Sequence, residues 1–146
     1  MEAERSVLGA MLQDANAVMQ AAEVLAPDDF YQPSHREIYD CMLQLFRQQS
    51  PVDLITVDSE LSRRGSLDGV GGTAYLIELS QFVPTTANVK AYISLVAEKS
   101  TLRKLIKASQ EISQECYTQA NPLQETLNHA EKAIFDIVMN RASGDT

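Results

Sequence analysis

Residues 87–118 read ANVKAYISLVAEKSTLRKLIKASQEISQECYT, a stretch with neither Gly nor Pro. Within it Leu102, Leu105, Ser109, Ile112 and Cys116 recur at alternating steps of three and four. That spacing draws a single stripe along a helix, so the stretch predicts one long helix. Beyond it, Asn121 with Pro122 just inside and Gln124 three positions on makes a helix start. The helix that follows repeats the alternation in Leu123, Leu127, Ala130, Ile134 and Ile137. Two heptad-patterned helices joined by a tight connection make an αα-hairpin. Ile106, Phe135, Val138 and Met139 lie off the strict seam and widen its apolar face. Some of that face therefore needs a further partner, either the rest of the chain or a second copy. Residues 142–146, small and polar, read as the start of a linker.

Working back toward the N-terminus, the pattern changes to short helices. Val7, Leu8, Met11 and Leu12 recur at helical spacing after an acid-rich turn, and a second set around Val18, Ala22 and Leu25 stops at Pro27. Asp28-Asp29-Phe30-Tyr31-Gln32-Pro33 is turn chemistry, and Ser34 with Glu37 has the spacing of a capping box for a helix striped by Ile38, Met42, Leu45 and Phe46. Val52 and its neighbours fit a connector, with Thr56 as N-cap and Gly65 as stop of a short helix. Gly71-Gly72 then opens an amphipathic helix over residues 73–79 that ends near Pro84. The fold class expected is all-α, a globular cluster of short helices over residues 1–98 followed by a long hairpin over residues 99–142 and a linker from 143 on.

At 146 residues with 45% hydrophobic and 22% charged residues, the chain suits one domain with a core and argues against disorder. No apolar run approaches a membrane span, and no leader is evident, so a cytoplasmic setting is expected. Cys41 and Cys116 lack a CxxC or a nearby His and read as small buried hydrophobes. The net charge of −8 sits wholly in residues 1–86, which hold 13 acids and 5 bases; residues 87–146 hold 7 of each. Such an acidic lobe disfavours phosphate backbones. Lys99, Arg103 and Lys107, four apart with Lys104 beside them, draw a basic stripe that is either a solvated face or a contact for an acidic surface or single-stranded DNA.

Catalytic chemistry is missing. No phosphate loop occurs, and Gly69-Val70-Gly71-Gly72 fails the dinucleotide pattern. His35 and His129 stand in different helices without a nucleophile or ligand beside them and read as surface or capping residues. No catalytic, cofactor-binding or metal-binding residue is expected. Asp28 and Asp29 read as turn solvation or a cap. Residues alone thus lead to a non-catalytic assembly or docking module, with a single-stranded DNA-binding module on the basic stripe as the alternative.

Several strings carry a family resemblance. They are Glu2-Ala3-Glu4-Arg5-Ser6-Val7-Leu8-Gly9-Ala10, Asp29-Phe30-Tyr31 followed by His35-Arg36-Glu37-Ile38-Tyr39, and Pro51-Val52-Asp53-Leu54-Ile55-Thr56-Val57. Val70-Gly71-Gly72-Thr73-Ala74-Tyr75-Leu76-Ile77-Glu78-Leu79 and Val83-Pro84-Thr85-Thr86-Ala87-Asn88-Val89-Lys90-Ala91-Tyr92 continue the series. In order and spacing they resemble the N-terminal domain of bacterial replicative DNA helicases of the DnaB family. The resemblance implies a helical lobe with a hairpin, hairpins paired between subunits, and three such dimers forming a collar on a hexameric ring. It implies docking of the DnaG primase C-terminal domain, with DNA contacted only through the full-length helicase. It also implies an ATP- and Mg-using RecA-like motor beyond residue 146. By position it makes Tyr75, Ile106 and Ile112 primase-facing. On the second hairpin helix Leu127, Ile134, Phe135 and Val138 are the expected packing and subunit-pairing residues.

Overall fold

The computed structural model describes residues 2–82 and 88–144, with side chains as far as Asn140. Among the described residues all regular elements are helical: α1 Glu2–Gln13, α2 Ala15–Val24, α3 Pro33–Arg47, α4 Leu54–Arg64, α5 Gly72–Gln81, α6 Val89–Thr118 and α7 Leu123–Gly144. Single 3-10 turns at Pro27–Asp29 and Asp68–Val70 precede α3 and α5. The chain divides into two compact units, Met1–Ala97 and Glu98–Thr146. Where a linker is expected from 143, α7 is still helical to Gly144, and residues 145–146 lie outside the described residues; α5 ends at Gln81, shortly before the Pro84 near which its end is expected.

The first unit is built around α1. Ser6, Val7, Leu8, Gly9, Ala10, Met11 and Leu12 are all buried, so this helix has no solvent face over nearly two turns. Around it close α2, α3 and α5, bringing Val18, Phe30, Ile38, Tyr39, Met42, Leu61, Leu76 and Leu79 into one core. The first turns of α6 add Val89, Ile93 and Val96 to that core. Tyr39 is wholly buried, yet its hydroxyl donates to the carbonyls of Ala21 at 3.0 Å and Leu25 at 2.9 Å, satisfying the C-terminal end of α2.

Helix ends follow local chemistry, and two of them differ from expectation. Asp14 caps α2 through the Asn16 N–H, and Gly65, left-handed at φ 75°, stops α4 as expected. Thr56 is not the N-cap of α4. Asp53 takes that place, and Thr56 answers it from the third helical position, each side chain accepting from the other's N–H at 2.9 Å. Ser34 does not cap α3, which already begins at Pro33; Glu37 turns aside to pair with Arg64. Cys116 is exposed and not buried, whereas Cys41 is buried and its thiol is pushed up to about 11 by that burial.

In the second unit Leu105, Ile112, Ala130 and Ile137 hold the inner positions expected of them, and the other inner positions fall one residue away from the expected ones. The less exposed positions on α6 are Leu105, Ala108, Ile112 and Glu115, and on α7 Thr126, Ala130, Ala133 and Ile137. Leu102, Ser109, Cys116, Leu123, Leu127 and Ile134, expected in the seam, are exposed. Beside Leu105, Ile112 and Ile137, the small Ala108, Ala130 and Ala133 take inner positions, where they let two helices approach. At the hairpin tip Glu115 accepts from His129 Nδ1 at 2.8 Å, and its carboxyl sits below the usual range chiefly for that reason. Gln119 takes a left-handed φ of 52° in the turn.

Candidate functional site

Glu4, in the first turn of α1, is 5% exposed and still charged in character. Its carboxylate accepts the Tyr31 N–H at 2.6 Å, the Gln32 N–H at 3.5 Å and His35 Nδ1 at 2.7 Å. Burial alone would raise its pKa; the His35 hydrogen bond, the Tyr31 N–H, the His35 charge and the Gln32 N–H outweigh burial and hold it below the ordinary 4.5. Since a carboxylate only accepts, His35 Nδ1 carries a hydrogen. The other ring nitrogen, Nε2, lies 2.6 Å from the Tyr75 hydroxyl. His35 is therefore no surface residue: at 2% exposure it is buried between α1 and α5, correcting the expectation. No sequence signal nearby announces this, because its partners lie 31 and 40 positions away.

Tyr75 sits half-buried on α5 at the outer end of this chain of hydrogen bonds. Arg5, next to Glu4, brings its positive charge near the Tyr75 hydroxyl and lays its guanidinium over Phe82, 5.8 Å from the ring centre. Burial raises the phenol's pKa and Arg5 opposes that rise, so the hydroxyl keeps its proton. Gly71, at φ 112°, passes under the tyrosine so closely that a Cβ there would stand 2.7 Å from Tyr75 Cβ.

The remaining expected site residues fall on the hairpin. Ile106 is 57% exposed and shares the outer side of α6 with Leu102. Ile112 instead lies on the half-buried inner side. Leu127, Ile134, Phe135 and Val138 are all exposed on α7, from 38% at Ile134 to 61% at Phe135. Ile134 and Phe135 line an open groove with Asn128, Ala130, Glu131 and Lys132. Of the basic stripe, Lys99 and Lys107 are exposed and Arg103 and Lys104 half-buried. Lys104 is turned about 100° from Arg103 around the helix and stands apart from the line of the other three.

Among the described residues no three His, Cys, Asp or Glu side chains are grouped to hold a metal, and no helix is long and apolar enough to cross a membrane. What these surfaces offer is contact: a half-buried aromatic with its polar tip satisfied, and large apolar side chains on outer helix faces.

Comparison with known proteins agrees with this architecture. The family model for the DnaB-like helicase N terminal domain matches residues 1–98. Over 141 residues the chain is 44% identical to the replicative DNA helicase DnaC of Bacillus subtilis (strain 168), covering 97% of this chain and 31% of that protein. It is 41% identical over 144 residues to the replicative DNA helicase DnaB of Geobacillus stearothermophilus, covering 99% and 32%. The chain thus spans about a third of the length of these relatives. Among solved structures, the N-terminal domain of DnaB helicase from Mycobacterium tuberculosis matches with a TM-score of 0.85 and 42% identity over 92% of this chain and 95% of that one. A DnaB-like replicative helicase, solved for its structure and its interactions with primase, matches with a TM-score of 0.74 and 30% identity over 90% of this chain and 31% of that one. With its lobe matched by the family model and the architecture matched throughout, this chain belongs to the DnaB-like helicase N-terminal domain family.

Proposed function

We propose that this chain is the non-catalytic collar of a bacterial cytoplasmic replicative helicase, pairing its hairpins between subunits and docking the C-terminal domain of DnaG primase. In the full-length protein three dimers make a hexamer, and ATP and magnesium belong to a motor domain outside this chain. The observation that carries the reading is the likeness, at 30% identity, to a replicative helicase studied for its interactions with primase. Two features of this chain support it: Tyr75 is half-exposed beside α1, and Ile106 projects from the outer side of α6. An aromatic body with a satisfied tip is the kind of group that anchors interfaces. Ile112, half-buried inside the hairpin, contributes through the shape of α6.

The test is titration of this chain with a primase C-terminal domain. Tyr75→Ala and Ile106→Asn should each weaken binding about tenfold or more with folding intact. Unchanged affinity in both would remove Tyr75 and Ile106 as docking contacts. A second reading, single-stranded DNA binding, is favoured by exposed Lys99 and Lys107 on the line of Arg103. It predicts DNA affinity that falls steeply with salt and is lost in Lys99→Glu.

A further inference from the structure

Tyr75 is gripped at both ends. At its root stands Gly71, where even a methyl group would collide. At its tip is His35 Nε2, 2.6 Å from the hydroxyl. The imidazole and phenol planes differ by only 9°, with ring centres 6.0 Å apart. A 2.6 Å hydrogen bond between ring tips at that separation means the rings meet edge to edge, not face to face. Behind the imidazole, Glu4 holds Nδ1, and the Tyr31 and Gln32 N–H groups hold Glu4. Both ring nitrogens of His35 are therefore bonded, and its burial leaves no room to turn.

We propose that Glu4 and His35 are positioning residues for protein docking: buried behind the surface, they hold the Tyr75 ring in one orientation as a ready-made anchor. This rests on the docking reading above. A long polar relay is a costly way to pack a core, since burying a charge is repaid only when every partner is in place. Of the three side chains Glu4, His35 and Tyr75, the first two are buried and Tyr75 is half-exposed, which is where a frozen orientation has a use. An anchor ordered before binding loses less side-chain freedom on binding. With its hydroxyl engaged inside the molecule, Tyr75 offers its partner the apolar ring, so the matching group on the partner is an apolar side chain or pocket.

The experiment titrates this chain with a primase C-terminal domain while varying the tether separately from the ring. Tyr75→Phe keeps the ring and releases its tip. His35→Asn keeps an amide nitrogen near the Nδ1 position, toward Glu4, but loses the bond to Tyr75. His35→Gln places its amide near the Nε2 position and retains that bond. Tyr75→Phe and His35→Asn should weaken docking about threefold to tenfold, and His35→Gln should recover most of the affinity that His35→Asn loses. In the unaltered chain, the His35 ring nitrogen resonances should shift when the primase domain is added. If Tyr75→Ala weakens docking while Tyr75→Phe and both His35 variants bind alike and His35 resonances stay unmoved at saturation, positioning is overturned and docking at Tyr75 stands. Wild-type affinity in Tyr75→Ala overturns both. Should a His35 variant fail to fold, Tyr75→Phe and the resonances of the unaltered chain decide the matter.

Discussion

Glu4 keeps its charge in the interior because two backbone N–H groups and His35 converge on it. Its pKa is lowered in the folded chain, so its contribution to stability is present above the ordinary carboxyl value of 4.5 and is lost as pH falls through the lower folded value. Glu4→Gln should cost about 1–3 kcal/mol at neutral pH. The gap between variant and wild type should narrow as urea unfolding is repeated below pH 4.5; a gap constant with pH would mean the charge is not what matters. Periodicity gives no hint of this residue's role. Glu4 stands in an acid-rich first turn, which by itself reads as helix-dipole chemistry.

Elements are joined by a second charged group of a different kind. Arg64, in the last turn of α4, is 15% exposed and reaches back to α3, where it pairs with Glu37 and Asp40 at 3.0 Å each and with Gln44. Within α4 it also pairs with Glu60 at 3.5 Å. Because the guanidinium is largely covered while its α3 partners Glu37 and Asp40 are more open, removing it leaves those two acids solvated but uncouples the two helices. Arg64→Ala should lower stability by about 1–3 kcal/mol in chemical denaturation, and Arg64→Lys should recover only part, since an ammonium cannot fork between carboxylates. The existence and order of helices are legible locally, through Gly65, Asp14 and the unbroken stretch that becomes α6. Their inward faces are less so. In the hairpin Leu105, Ile112, Ala130 and Ile137 turn inward as their spacing predicts, but Ala108 and Ala133 take the inner places expected of Ser109 and Ile134, and Leu127, Ile134 and Val138 are exposed. Hydrophobic spacing ranks bulky residues first, whereas helix approach favours small ones.

For the whole molecule, those bulky outer residues set the expectation of self-association. Apolar side chains clustered on one helix face are seldom left to solvent. Sedimentation at rising concentration should show mass climbing toward a dimer, and Phe135→Asp should keep the chain monomeric with its helicity unchanged. A strict monomer at millimolar concentration would count against pairing through α7. The all-α class, the division into a short-helix lobe and a long hairpin, the capping at Gly65 and the family follow from the sequence, because spacing, turn residues and ordered strings are local properties that survive without a fold. Tertiary structure alone decided that His35 is buried, that Glu4 and Tyr75 meet on either side of it, and which side of each hairpin helix faces inward. Those outcomes depend on groups 31 and 40 positions apart being brought within hydrogen-bond reach, and on how closely two helices pack. A linear pattern contains neither distance.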